Sequence, residues 1–468
     1  MNPGPAGAAP RLAPRDVLRG GLCVGCGNCA AQPGAPGRRM AWDRDGQLKP
    51  AGRRADLARA DAQLARLCPS SPWAANEDEL ARALYPQAAH VDPLVGRYES
   101  AFVGSVAEGH FRAQGSSGGM VSWVATELLR RGLVDAVAHV VPTADPAADG
   151  RFFRYRLSRT PAQLAAGAKS RYYPVELSQV LEEIRATPGR YAVVGIPCFT
   201  KAVQLLRRHD PLMRDRIRFT LGLFCGHMKS ARLLDSFAWQ LSVDPAEVVG
   251  VEYRLKSPDR PANWYTAQLR LRDGRLVQRD WFHLAEGDWG SGFFQNGACN
   301  FCDDVVVETA DISFGDAWVE PYAQDGRGTN VVLVRSPELH ALVSEAIGQG
   351  RLALAPVDAD FVRRTQAAGL RHRREGLAYR LTWARRSGLQ PRKRVAEGAT
   401  ELPRPRKLLY RIRAHVTRWS PKAFRVARVL RWRGLYLAWA HGVVALYQGL
   451  AYARGRLGAA LARMGWRG

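Results

Sequence analysis

Eight cysteines, falling into two sets of four, constrain this 468-residue chain more than any other feature. The first set is Cys23-x2-Cys26-x2-Cys29, completed by the distant Cys68-Pro69. The second is Cys198 in Gly195-Ile196-Pro197-Cys198, Cys225 in Phe224-Cys225-Gly226, and the pair Cys299-x2-Cys302. Three thiolates at two-residue gaps wrap one face of a cube, and a remote Cys-Pro supplies a fourth ligand, as iron–sulfur cubanes require. The same spacing admits a four-sulfur zinc site, although three cysteines so close crowd a tetrahedral ion more than a cubane. The second set is open to more readings because its members lie far apart. Besides a second cubane, it admits a zinc or redox Cys-x2-Cys, plainly buried thiols, or a Cys198 nucleophile partnered by His227.

The length suffices for two or three domains, each with its own core. The first twenty residues contain no apolar core segment, so no secretory signal is expected. The expected compartment is the reducing cytoplasm, where clustered thiols bind metal rather than form disulfides. The net charge of +25 is uneven: residues 402–468 hold fifteen Arg and Lys and no acidic residue, leaving about +10 on the rest. The basic excess is thus a property of the tail, and nucleic acid is not an expected partner.

The expected fold class is mixed α/β. Residues 1–20 are rich in Pro, Ala and Gly and are expected to be disordered. Residues 21–90 read as a ferredoxin-like cluster segment, with a hairpin at 40–46 and an Arg/Ala-rich helix through Leu67. Residues 91–388 read as an α/β core, in parts 91–175 and 176–388, and 389–468 as a basic amphipathic helical tail. Apolar runs predict strands at 101–104, 134–141, 191–196, 219–224, 305–307, 312–315 and 329–334, and a hairpin at 265–271 and 276–279. Helical periodicity covers 120–131, 177–185, 200–208 and 337–348. The first two strands, with the helix between them, predict a βαβ unit. Cys198 and Cys225 each follow a strand, where such sheets place their sites.

Gly115-Ser116-Ser117-Gly118-Gly119, feeding a helix, suits a phosphate or pyrophosphate, or simply caps that helix. Lys169-Ser170-Arg171-Tyr172 sets two cations beside a ring, suited to a phosphorylated planar cofactor or to a solvated surface. Asp316, in Gly315-Asp316-Ala317-Trp318, reads as a carboxylate near a cofactor or as a turn residue. His227 reads as a proton donor, a cluster neighbour or a structural histidine. In the tail, residues 434–453 carry only His441 and Gln448 as strongly polar groups. Their length reaches a bilayer span, but glycines, tyrosines and a histidine suit the headgroup region better. Peripheral attachment to an anionic inner membrane face is the expectation, with docking to a partner protein as the alternative.

The Gly115–Gly119 loop, Ala168-Lys169-Ser170-Arg171-Tyr172, Gly195-Ile196-Pro197-Cys198, Leu223-Phe224-Cys225-Gly226, the Cys299/Cys302 pair and Ala310-Asp311-Ile312-Ser313-Phe314-Gly315-Asp316 occur in this order. Together they resemble the coenzyme F-420 hydrogenase/dehydrogenase beta-subunit family over about residues 20–335. Plant and cyanobacterial chlorophyll-modifying reductases share that architecture, as do bacterial members linked to surface-polysaccharide biosynthesis. The resemblance implies FAD with two [4Fe-4S] clusters. It implies an oxidoreductase passing electrons between a ferredoxin-like donor, or coenzyme F-420, and a small organic substrate, with surface-polysaccharide metabolism as one setting. It places the family's conserved cluster on Cys198, Cys225, Cys299 and Cys302. It also makes the Gly/Ser loop and the Lys169–Tyr172 run the flavin-contacting candidates. The arginine-rich tail has no counterpart in short family members. An electron-relay subunit of a larger dehydrogenase or hydrogenase, and a non-enzymatic zinc-stabilised binding module, stand as alternatives.

Overall fold

Strands buried on both faces read as unbroken apolar runs, and such runs build the central sheet of this computed structural model, which describes residues 9–34, 37–384, 389–398 and 401–463. Its eight strands are β1 Ser100–Val106, β2 Ala136–Pro142, β3 Phe153–Ser158, β4 Tyr191–Gly195, β5 Ile217–Leu223, β6 Ile312–Asp316, β7 Asn330–Val334 and β8 Leu352–Pro356. Their spatial order is β8-β1-β7-β6-β5-β4-β2-β3. β6, β5, β4 and β2 are parallel, with Leu221 beside both Ile312 and Val194, and Tyr191 beside Ala136. β7 and β3 are antiparallel to their parallel neighbours, and β1 is antiparallel to both β7 and β8.

Period-two alternation sorts the side chains of these strands between two cores. Val137, Ala192, Val194, Phe219 and Leu221 face α1 (Met120–Arg130) and the helix Pro337–Gly348. Ala136, Ala138, Tyr191, Val193 and Ile217 face the helix Ser178–Ala186 and α2 (Pro197–His209). Each large aliphatic or aromatic side chain so buried stabilises the fold by about 1.5–3 kcal/mol.

A second body packs beside the sheet. It comprises the three strands Val248–Leu255, Thr266–Leu271 and Leu276–Asp280, the helix Arg232–Gln240, and two tail helices, α3 (Arg404–Val429) and α4 (Arg433–Tyr452). Phe237, Tyr253, Phe293, Phe294, Phe424 and Tyr436 are fully buried within it.

Several expectations change. Residues 1–8 lie outside the described residues, but Pro14–Arg19 is a helix, and Leu12, Val17 and Leu22 are buried against Leu64 and Ala65. The N-terminal stretch is therefore ordered from about Leu12, because Leu64 and Ala65 supply it with an apolar bed. The helix through Leu67 is two short helices, Arg54–Ala58 and Ala62–Leu67, since the Asp61 carboxylate caps the second and the Asp61 backbone pairs with Leu12. Residues 305–307 are not a strand. The Asp304 carboxylate accepts the Val307 and Glu308 N–H groups at 2.8 and 3.0 Å, which folds the segment into a turn. β1 and β2 flank α1 as expected but are separated by four strands, because β7, β6, β5 and β4 pair between them.

The tail is helical as expected, and it packs on the protein. Tyr436, Ala440, Tyr447 and Leu450 of α4 are buried against the protein. The Tyr436 hydroxyl donates to Glu286 Oε1 at 2.7 Å, and Gln448 Nε2 donates to Asp288 Oδ2 at 3.2 Å. Segment 434–453 is thus a docked helix rather than a free amphipathic one. Among the described residues no helix is long and apolar enough to cross a membrane.

Candidate cofactor cavity and cysteine quartets

The carboxyl ends of β4, β5 and β6 share one edge of the sheet, where open α/β folds place their ligands. β4 ends at Gly195 and the chain turns into α2, with Cys198 in its first turn. β5 ends at Leu223, two residues before Cys225, and β6 ends at Asp316. The turn Gly297–Phe301 carries Cys299, and Cys302 follows directly.

These four thiols form one electrostatic group. Burial raises Cys198 well above its ordinary value, and Cys299, Cys302 and Cys225 push it further. Cys299 is pushed up to about 11 by burial, against the Met228 N–H that donates to its sulfur at 3.3 Å. Arg373 is fully buried beside them and donates to the Gly226 carbonyl at 2.6 Å. Burial opposes its charge, but Cys302 and Cys225 outweigh burial and hold the guanidinium above its usual range.

The N-terminal set also converges. Burial raises Cys26 and Cys29, and neighbouring thiols of the set add to both: Cys68 and Cys23 on Cys26, Cys23 and Cys26 on Cys29. Cys68 is pushed up to about 12, by burial first and then by Cys23 and Cys29. Gly27 explains how the loop sits so deep. At φ +83°, a Cβ there would lie 2.5 Å from Glu176 Oε2 and 2.8 Å from Ser178 N, so only glycine permits the approach. The Leu177 N–H then donates to the Cys26 carbonyl at 2.9 Å. The two quartets lie on one apolar cluster, which Cys26 belongs to and Cys198 packs against. Among the described residues no three His, Cys, Asp or Glu form a group that could hold a metal ion.

A cavity of about 1260 Å³ opens beside the second quartet, with Cys225 in its wall. Gly115, Ser116, Ser117 and Gly119 line it, as do Lys169, Ser170, Arg171 and Tyr172. The two runs meet, because the Ser170 N–H donates to Ser116 Oγ at 2.9 Å. Gly119 sits at φ +87° where a Cβ would lie 2.5 Å from the Phe111 carbonyl carbon, so the loop closes only with glycine. Gly118 stands behind it, packed on Asn330, and Asn330 Oδ1 accepts the Met120 N–H at 3.2 Å. Lys256 Nζ donates to the carbonyls of Arg112, Ser117 and Arg327, tying the loop to its surroundings.

The two cations of the Lys169–Tyr172 run have different duties. Arg171 is committed to Glu252 at 2.9 Å and lies 4.9 Å from the Phe153 ring centre. Lys169 forms no ion pair among the described residues, and burial lowers its pKa. Tyr172 joins an aromatic wall, 4.7 Å from Trp289 and 5.7 Å from Trp281. Asp316 is engaged by Arg254 at 3.0 and 3.3 Å, and that guanidinium lies 4.2 Å from the Tyr265 ring centre. His227 stacks on Trp289 at 4.5 Å, and its Nε2 has no hydrogen-bond partner among the described residues. Burial holds it well below the usual histidine value, so it is a neutral imidazole at pH 7.

Sequence reading missed Arg254, Arg373, Trp281 and Trp289, and with them Lys229, which donates to the Phe293 carbonyl at 2.6 Å and lies 4.5 Å from the Trp289 ring centre. It also missed that His441, Val444, Gln448, Tyr452 and Arg454 of the tail line the same cavity. One signal was available. His441 and Gln448, the two polar positions of an otherwise apolar segment, are seven residues apart and share a helix face.

A family model for the N-terminal part of the coenzyme F420 hydrogenase/dehydrogenase beta subunit matches residues 101–182, and a model for the C terminus of the same beta subunit matches residues 189–360. Together they take in more than half of the chain. Among solved structures, a chain of the F420-reducing NiFe hydrogenase complex from Methanosarcina barkeri, from a xenon derivatization study, is similar at 18% identity and a TM-score of 0.46. The similarity covers 60% of this chain and 91% of that one. No curated protein sequence matches.

Proposed function

Because the chain belongs to the coenzyme F420 hydrogenase/dehydrogenase beta-subunit family of electron-transfer oxidoreductases, we propose that it holds two [4Fe-4S] clusters and FAD. Its activity, on this reading, moves electrons between a ferredoxin-like donor, or coenzyme F420, and a small organic substrate in the cytoplasm. One observation carries the reading: Cys26 and Cys198 share one apolar cluster, and Cys225 of the same second quartet stands in the cavity wall. Cys23, Cys26, Cys29 and Cys68 would hold one cluster, and Cys198, Cys225, Cys299 and Cys302 the other. Each quartet offers four thiolates, the complement of a cubane. Bound there, the clusters would supply one-electron carriage and the flavin the conversion between single electrons and electron pairs.

The chain's own residues fit those groups. The buried Arg373 cation offsets the negative charge of the second quartet, and the Met228 N–H hydrogen-bonds one of its sulfurs. The glycine-bound N-terminus of α1 and Lys169, in no ion pair among the described residues, favour a pyrophosphate in the cavity. Trp281, Trp289 and Tyr172 offer an apolar wall for a planar ring. His227, neutral and with Nε2 unpartnered among the described residues, can make one hydrogen bond to a bound ring or substrate but arrives with no spare proton. Asp316 acts as a positioning residue, holding Arg254 over Tyr265.

Anaerobic purification with iron, sulfide and flavin analysis tests the proposal. About eight irons, one flavin and broad absorbance near roughly 400 nm are expected. Cys68→Ser and Cys198→Ser should each leave about four irons. A colourless zinc protein would overturn the reading. A chain that is loaded but inactive without a co-purifying catalytic partner would instead be an electron relay.

A further inference from the structure

The turn between α3 and α4 presents apolar side chains to solvent. Val429 is 78% exposed, Leu430 58% and Trp432 60%. Higher on α3, Trp419 and Val426 are half exposed, and their offset of seven positions places both on one helix face. Arg418, Arg428, Arg431 and Arg433 surround these groups, all exposed. Among the described residues none of the four is in an ion pair, whereas Arg406 and Arg425 of the same tail are taken by Glu375 and Asp45. Lys422 Nζ lies 4.8 Å from the Trp419 ring centre, adding a fifth cation at the edge.

We infer that this tip is a membrane-docking surface for anionic lipid headgroups. Tryptophan prefers the headgroup level, short aliphatics reach the acyl boundary, and arginines meet lipid phosphates. The tip offers all three in a stretch of sequence without one acidic residue. A second copy of the chain fits poorly, since self-pairing would set arginine against arginine. Nucleic acid would use the cations but leave Val429 and Leu430 uncovered. The attachment is peripheral, because no described helix is long and apolar enough to cross a bilayer. It also differs from attachment through segment 434–453, whose apolar face is already spent on the protein. From Arg433 at the tip to His441 in the cavity wall is about 12 Å along α4. Docking would therefore hold the cavity close to the lipid surface.

The test floats the full chain with phosphatidylcholine vesicles, with and without phosphatidylglycerol, at low and high salt. Binding is expected only to the anionic vesicles and is expected to fall with salt. The double variant Arg428→Glu/Arg431→Glu should bind about 30-fold or more weakly, at about 1 kcal/mol per basic residue near the surface. Trp432→Ser should also weaken binding, while Leu276→Ser, exposed on another element, should not. All these positions are solvent-exposed, and circular dichroism checks that each variant is folded. The readout needs no cofactor, so it is independent of the redox proposal. Failure to bind anionic vesicles at low salt, equal binding by the variants, or a tip that instead drives dimerisation or binds duplex DNA would each overturn the inference.

Discussion

Tyr436 is the side chain whose alteration most directly asks whether the tail belongs to the protein's core. Its ring is fully buried among Phe294, Phe424 and Trp439, with centroids 5.8, 5.0 and 5.9 Å away. Its hydroxyl donates to Glu286, a fully buried carboxylate that also accepts from Ser236 and Gln240 at 2.7 Å. Tyr436→Phe keeps the ring and removes one hydrogen bond to a charged acceptor, a loss of about 1.5–3 kcal/mol. Where reclosing outpaces cleavage, proteolysis follows the population of the open state. At 1.4 kcal/mol per factor of ten, tryptic cleavage within 402–468 should accelerate about 10- to 150-fold. Tyr436→Ala also removes the ring, a loss of about 3–5 kcal/mol, and should release the wall that α4 lends to the cavity, with loss of bound flavin. Trp432→Ser, at an exposed position, serves as the control and should cleave at the wild-type rate. Cleavage of Tyr436→Phe within twofold of wild type would refute the view that this contact pins the hairpin.

Two further outcomes follow from the cavity. Gly119→Ala forces a Cβ at φ +87° onto the Phe111 backbone 2.5 Å away, so at least about 1–2 kcal/mol of strain is expected; flavin retention after gel filtration should fall, and full retention would show that the loop does not form the cradle. Burial lowers Lys229 to about 7, while an unfolded chain keeps that proton to about 10.4. Between those values the unfolded state binds more protons, so stability rises with pH through this window and is lost as pH falls toward 7. Thermal melts of wild type against Lys229→Met at several pH values should show wild type gaining on the variant as pH rises, and a pH-independent difference would contradict the burial of this amine.

The elements of the sheet were legible because each reports itself locally. Val193 and Val194 alternate between two cores, and a strand buried on both sides has only an apolar run to show. The cysteine sets and the Gly/Ser loop were legible because their chemistry restricts residue type: Gly27 and Gly119 hold backbone positions that no side chain could share. Other features had no local trace. Val305–Val307 has strand composition, yet the Asp304 carboxylate competes for its backbone and wins. Asp316 looked free until Arg254, sixty-two residues away, was brought onto it.

What the sequence by itself determined was the inventory: eight thiols in two sets, an α/β core, a Gly/Ser loop feeding a helix, a separate run with two cations, and a basic tail. Tertiary structure alone decided the adjacencies: Cys26 and Cys198 on one apolar cluster, Ser170 against Ser116, and α4 folded back onto Glu286 and into the cavity wall. Residue type and spacing constrain only neighbours along the chain, whereas these adjacencies join segments 54 to 172 residues apart. They are set by which apolar faces the folded chain can bury together, and the tail's tryptophan-and-arginine tip stays outside because its own apolar face had no partner there.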